Sequence, residues 1–202
     1  MASMNVVYKY FDQTQLYINL TNRCTNKCKF CIRYNYSGVG GDDLWLLHEP
    51  DFEEVKKALE ENNFRDAEEI VFCGYGEPTI RHDLLVLVAK YIRENCNAKI
   101  RINSNGHGNR IAGRDITPDY EGIIDEISIS LNAKNAKEYH ELCICDFGED
   151  GFYELLKFAK CAKEHVKSVI LSIVDVLPEE DIEECKKIAE DTGVTLRIRK
   201  LV

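Results

Sequence analysis

A partial parallel β/α barrel of six strands is the fold class this sequence predicts, and three observations carry that prediction. Strand-like and helix-like segments alternate along the chain, several strands set polar residues against apolar ones, and the chemistry-bearing residues fall where strands end. With 202 residues and 45% hydrophobic side chains the chain can bury one good core, so a single domain over 1–202 is expected. Residues 1–14 read as an N-terminal extension, with Met4 as the expected natural start.

The elements follow in order. "QLYINLT" (15–21) alternates with a period of two and reads as the first strand. "DFEEVKKALEEN" (51–62) reads as a helix, because Asp51 and Glu54 form a capping box and Phe52, Val55 and Leu59 make one stripe. "EIVFCG" (69–74) is a second strand and "HDLLVLVAKYIREN" (82–95) a second helix. "AKIRINS" (98–104) and "DEISISL" (125–131) are strands separated by a Gly-rich loop. Helical patterns occupy 134–142 and 150–165, and "SVILSIV" (168–174) is the fifth strand. A helix opening on Pro178 and closing at Gly193 leads to the sixth, "VTLRIRKL" (194–201).

Strands of a parallel sheet covered on both faces read as continuous apolar runs. Here Tyr17, Asn19 and Thr21 oppose Leu16, Ile18 and Leu20, and Arg101 and Asn103 oppose Ile100 and Ile102. Ser128, Ser130 and Asn132 oppose Ile127, Ile129 and Leu131 in the same way. One face would take the helices and the other would line a wet interior, unlike the aliphatic filling of a closed barrel. An open flavodoxin-like sheet is the alternative.

The net charge of −9 argues against non-specific nucleic-acid binding, which wants a basic patch. The longest dense apolar run, "LLVLVA" (84–89), falls far short of a membrane span, and the N-terminus lacks a signal-peptide core. The expected compartment is therefore the cytoplasm, where nine cysteines stay mostly reduced and serve metal, catalysis or packing.

Cys24, Cys28 and Cys31 follow the first strand, "GYGEPT" (74–79) the second, "NSNGHG" (103–108) the third, and "SLNA" (130–133) closes the fourth. All lie at C-terminal strand ends, where such folds assemble active sites. Soft thiolates suit zinc or iron–sulfur clusters. Three on one loop can hold three corners of a cubane and leave the fourth iron open to a chelating ligand. A closed zinc site with Cys73 or His48 as fourth ligand is the alternative.

Cys24-x-x-x-Cys28-x-Phe30-Cys31 after a first strand resembles the hallmark of the radical S-adenosylmethionine (SAM) superfamily, and "GYGEPT" resembles its Gly-Gly-Glu motif. The combination "YINLTNRC", "CKFCIR", "FCGYGEPTIR", "INSNGHG" and "SISLNA" is similar to small TatD-associated members. The resemblance implies a radical SAM type of partial barrel and a 4Fe–4S cluster on Cys24, Cys28 and Cys31. The open iron would bind the amino and carboxylate groups of SAM, and reductive cleavage would yield a 5′-deoxyadenosyl radical that takes hydrogen from a substrate. Gly74, Tyr75, Gly76, Glu77 and Pro78 would meet the methionine amino group, with Glu77 near its charge. Ser130, Asn132, Asn103 and Asn105 would meet the carboxylate or ribose, while backbone near Phe30 and apolar residues around Ile173 would hold the adenine. For Glu77 a helix-capping role stands beside this one, and for each Asn or Ser a turn-stabilising role. The resemblance also implies a small-molecule or protein substrate, an electron donor such as flavodoxin or ferredoxin, and a functional link to a TatD-family protein. Activation of a glycyl-radical enzyme, nucleobase-type rearrangement and a non-catalytic metal-binding module are the other readings.

Arg101, Arg197 and Arg199 should point into the interior, either paired with barrel carboxylates or holding an anionic group of the substrate. His107, between two glycines, reads as a substrate contact or part of a flexible loop. Cys143, in "ELCICDFG", is a candidate catalytic thiol against a background of core packing, which it shares with Cys145. Cys161 and Cys185 read as core, and "GVGG" (38–41) as a plain loop without dinucleotide-fingerprint spacing.

Overall fold

The computed structural model describes residues 5–10, 12–35, 43–175 and 177–200; "GVGG" lies outside them. The six expected strands form: β2 (Asp12–Ile18), β3 (Glu69–Phe72), β4 (Lys99–Ser104), β5 (Glu126–Ser130), β6 (Ser168–Val174) and β7 (Thr195–Arg199). They pair in parallel and strictly in chain order. A seventh strand, β1 (Val7–Tyr10), pairs antiparallel with β2 at the open edge. The sequence reading left this segment as an extension. β1 gives the edge of β2 a partner, and Tyr8 stacks on Tyr17 at 5.4 Å between ring centroids.

Strand order without reversal rules out the flavodoxin-like alternative, which needs a switch point. Crossovers of one hand that all advance in one direction put every helix on one face. The helices are α1 (Ile32–Asn35), α2 (Phe52–Glu61), α3 (His82–Asn95), α4 (Gly108–Ala112), α5 (Ala136–Cys143), α6 (Asp150–Ala162) and α7 (Glu179–Thr192). The capping box predicted for α2 is present, with Glu54 N donating to Asp51 Oδ1 at 2.9 Å and Asp51 N to Glu54 Oε2 at 2.9 Å. α1 and α4 are short additions inside expected loops.

The alternation sorts as expected. Leu16, Ile18, Ile70, Phe72, Ile100, Ile102, Ile127, Ile129, Leu171 and Ile173 join Leu59, Val88, Ile92, Leu155, Phe158 and Ala189 of the helices in one core. The opposite face curls into an unclosed lumen: Arg197 of β7 reaches past β6 to Glu126 of β5 at 3.0 Å. Its floor is an ion-pair network rather than an aliphatic plug. Arg101 grips Glu69 through Nε and Nη2 at 3.2 and 3.1 Å, while Lys99 Nζ meets Glu126 at 2.8 Å and Glu69 at 3.3 Å. Desolvation raises the pKa of Glu126, but Lys99 and Arg197 outweigh it and hold the carboxyl below the usual carboxylate value.

Removing that carboxylate leaves Arg197 without an acid and Lys99 and Arg101 with Glu69 alone. Glu126→Gln should lower unfolding free energy by about 2 kcal/mol in urea titrations, less than the ~3–5 kcal/mol of a fully dry pair because Lys99 and Arg197 are partly wet. The deficit should shrink as pH falls below the unfolded ~4.5 toward the lower folded pKa, because the wild-type carboxylate loses its contribution over that window.

Candidate functional site

The loop after β3 is shaped by close approach. A Cβ at Gly76 would sit 2.1 Å from the Thr21 carbonyl oxygen, and one at Gly74, where φ is +145°, would sit 2.3 Å from Asn19 Oδ1. Only glycine lets this loop lie flat on the segment leading into the cysteines. Backbone bonds seal the contact, from Cys73 N to Ile18 O at 2.9 Å and from Glu77 N to Arg23 O at 2.8 Å. Tyr75 packs with Tyr8 and Leu44 at the strand edge, while Pro78 opens a short 3₁₀ turn over 78–81.

The Glu77 side chain is 3% exposed and fully engaged. Its Oε1 accepts from Thr79 N (3.1 Å), Thr79 Oγ1 (2.6 Å) and Ser104 Oγ (2.8 Å), and its Oε2 from Asn105 N (2.6 Å). Burial pushes its pKa up and these donors oppose the rise. The capping alternative fits this geometry: the carboxylate caps the 3₁₀ turn and latches the end of β4 to the loop after β3.

The cysteine loop is held from three sides. Lys27 N and Lys29 N donate to the carbonyls of Cys143 (2.8 Å) and Leu142 (3.0 Å), using free acceptors at the C-terminus of α5. Asp146 N donates to Thr25 O at 2.9 Å. Arg33 Nη1 bridges the carbonyls of Asn22 and Tyr75, each at 3.1 Å, which ties this loop to the glycine loop. Asn105 Nδ2 donates to Thr25 Oγ1 at 2.8 Å and lies 3.7 Å from Cys24 Sγ.

His107 is fully buried, neither a flexible-loop residue nor exposed to a lumen ligand. Its Nδ1 lies 2.8 Å from Thr25 Oγ1 and its Nε2 lies 3.1 Å from Gly151 O. The carbonyl accepts only, so the network assigns the proton to Nε2 and leaves Nδ1 to accept from Thr25. Burial lowers its pKa to about 4, and the ring is neutral at physiological pH. It stitches the cysteine loop to α6.

Cys24, Cys28 and Cys31 are half-buried, as is Phe30, and the nine cysteines form no disulfide. Burial first, then the Glu77 charge, pushes the Cys24 thiol up to about 12; a cation at the loop would draw it to the thiolate. Cys143 lies in the shell of the cysteine loop rather than in the lumen. It is buried, hydrogen-bonded to Cys28 and reached by Asn132 Nδ2 at 3.7 Å. Asn132 is a non-glycine residue at φ +60°, and its buried Oδ1 has no partner among the described residues. Ser130 sits on the lumen face of β5, and Asn103, opposite Ser128 on β4, donates to Cys73 Sγ at 3.5 Å. Ile173 faces the helices, which leaves Ile170 and Val174 as the apolar lumen residues of β6. Arg101 and Arg197 belong to the floor network, while Arg199 stands apart from it.

The residues fit the implied cluster. Three soft donors on one short, half-buried loop match the chemistry of such a cluster, while as placed no three His, Cys, Asp or Glu side chains among the described residues converge on a single ion. Of the two fourth ligands considered for zinc, His48 is exposed and engaged with Glu54 at 2.8 Å, while Cys73 lies near enough to Cys31 to act on its thiol. Sequence reasoning missed Thr25, Asn26 (whose Nδ2 donates to Tyr139 Oη at 2.9 Å) and Arg33, and it named Cys73 only as a zinc ligand. The first three sit inside or next to the cysteine spacing, which was the available signal.

Residues 18–192 match the profile of the Radical SAM superfamily, and the chain belongs to that family. It is 25% identical over 142 residues to a GTP 3′,8-cyclase of Cronobacter sakazakii, covering 70% of this chain and 40% of the relative. A Methanocaldococcus jannaschii protein carrying the name glycyl-radical enzyme activating enzyme is 26% identical over 172 residues, covering 83% of this chain and 65% of that protein. The chain thus spans less than two thirds of either relative. Among solved structures, Streptococcus suis SuiB bound to S-adenosylmethionine superposes with a TM-score of 0.62 at 20% identity, covering 94% of this chain and 39% of that one. Methylornithine synthase (PylB) gives 0.59 at 14% identity, covering 96% and 56%. These likenesses show the fold. No helix among the described residues is long and apolar enough to cross a membrane.

Glu77→Ala should cost about 3 kcal/mol of stability in chemical denaturation, since several donors to a buried charge lose their acceptor together. SAM and cluster binding should then fall together; selective loss of SAM binding at unchanged stability would return Glu77 to the ligand. For His107, whose folded pKa lies below the unfolded ~6.5, the stabilisation is complete above that pH and drains away as pH falls toward 4. The loss should be on the order of 3 kcal/mol, and a histidine resonance that titrates normally in NMR would contradict it.

Proposed function

We propose that this protein is a radical SAM enzyme in which Cys24, Cys28 and Cys31 hold a 4Fe–4S cluster and the surrounding strand ends bind SAM. One observation carries the reading: the cysteine and glycine loops are bonded together at one strand end, through Glu77 N to Arg23 O and through Arg33. When bound there, the cluster and SAM supply one-electron cleavage of the sulfonium and a carbon-centred radical that takes hydrogen from a substrate. The chain's own residues bind, orient and shield. The carbonyls of the Gly74–Glu77 segment are offered to an ammonium group. Ser130, Asn103 and Asn105 line the opposite side as donors for a carboxylate, the Asn132 amide oxygen is free to accept from a hydroxyl, and Phe30 beside Cys31 offers backbone and ring to a base. Apolar Ile170 and Val174 on the lumen wall limit water near the reacting atoms.

The substrate is a small molecule or a partner protein, and reduction calls for an external donor of the flavodoxin or ferredoxin kind. Activation of a glycyl-radical partner is a second reading, supported by the archaeal relative that aligns with 83% of this chain.

Anaerobic reconstitution should give one 4Fe–4S cluster per chain, and dithionite with SAM should then yield methionine and 5′-deoxyadenosine. Replacing Cys24, Cys28 and Cys31 together by Ala should abolish both the visible absorption and SAM cleavage. Stoichiometric zinc after anoxic isolation from iron-replete cells would overturn the proposal.

A further inference from the structure

Charge inside the lumen does not balance. Among the described residues its face carries four cations, Lys99, Arg101, Arg197 and Arg199, against two carboxylates, Glu69 and Glu126. This excess of positive charge sits inside a chain whose net charge is −9. Three of the cations end on Glu69 or Glu126 at the floor.

Arg199 does not. It follows Arg197 by two residues on β7, so it shares the lumen face and stands nearer the strand ends that carry the cysteine loop. Its guanidinium makes no hydrogen bond or ion pair among the described residues. The groups acting on it are the Cys73 and Cys28 thiols on one side and Arg197 and Arg101 on the other. Desolvation by the lumen wall, then those two cations, pull its pKa below the usual arginine value, although the side chain stays open to water at the mouth. A cation in this position is made more stable by an anion arriving from outside, and low-dielectric walls focus the field that attracts one.

We propose that Arg199 is the anion-binding residue of the substrate subsite, taking a carboxylate or phosphate of the substrate as a guanidinium fork. Fork geometry suits two oxygens of one oxyanion. The paired floor below keeps Arg101 and Arg197 from competing, because each already holds a carboxylate. Ser130, whose hydroxyl has no partner among the described residues, offers a donor in the same ladder row as Ser172 and Arg197. Ile170 and Val174 of β6 provide an apolar wall for the hydrocarbon part. The substrate class is therefore a small organic anion, or an anionic group presented by a larger molecule. This assignment rests on the radical SAM reading of the site. It also sorts the arginines: two belong to the scaffold and one to the ligand.

A carboxylate could instead come from SAM itself, so the test separates the two sources. Anaerobically reconstituted protein is titrated calorimetrically with inorganic phosphate and, separately, with SAM, for wild type, Arg199→Gln and Arg199→Lys. Cluster absorbance is recorded alongside, so failure of the radical SAM reading shows as a missing cluster in wild type rather than as a change in anion affinity. The expected result is a phosphate affinity at least tenfold weaker in Arg199→Gln, weakened less in Arg199→Lys, which keeps the charge but not the fork, and SAM affinity within about twofold of wild type. Phosphate that binds wild type and Arg199→Gln equally would overturn the proposal. So would phosphate that competes with SAM in wild type together with SAM affinity lost in Arg199→Gln, because the anion would then be SAM's carboxylate. If Arg199→Gln fails to fold, Arg199→Lys decides: phosphate binding weaker than wild type supports the fork, and binding unchanged from wild type overturns it.

Discussion

A buried carboxylate has to be surrounded by donors, and the way Glu77 meets that requirement fixes the geometry on which the rest of the site depends. Its donors come from the 3₁₀ turn after the glycine loop and from the end of β4, and its own N–H goes back to the cysteine segment. Three successive strand ends are thereby held at one distance. Gly74 and Gly76 permit the approach, and the Glu77 hydrogen bonds hold it. Residues that must act together on one cofactor are then placed by backbone contacts rather than by flexible side chains.

The lumen follows a complementary logic. A barrel that must admit a cofactor and a substrate cannot fill its interior with aliphatic side chains, so its stability has to come from elsewhere. The helix-side core supplies most of it, running unbroken from Leu16 to Ala189. At the floor, Glu69 and Glu126 pair with Lys99, Arg101 and Arg197 in a network polar enough to tolerate water that ties β3, β4, β5 and β7 together. The cysteine loop leans on the opposite wall, where the end of α5 lends carbonyls that would otherwise need solvent.

Much of this was legible in the sequence because it depends on local periodicity and spacing. The six parallel strands, the α2 capping box, the cysteine triplet and the glycine loop need only neighbouring residues to be recognised. What was not legible depends on pairing across long separations. β1 becomes a strand because β2 offers it an edge. His107 reads as a loop residue until Thr25, Tyr139 and Gly151 close around it from far along the chain. Cys143 acquires its place from Cys28, over a hundred residues earlier. Ile173 shows a different limit: "SVILSIV" is largely apolar on both sides, so its parity rests on Ser168 and Ser172 alone, which share the lumen face with Ile170 and Val174. The floor arginines were legible as lumen residues, but their partners were set by register.

The central claim is that these strand ends hold a cluster with one iron left open for SAM. Electron paramagnetic resonance of the reduced, anaerobically reconstituted protein, recorded with and without SAM, tests it most directly. The account predicts a 4Fe–4S signal whose g-values shift when SAM is added, because the ligand enters the coordination sphere of the open iron. A cluster signal identical in the presence and absence of saturating SAM would contradict it.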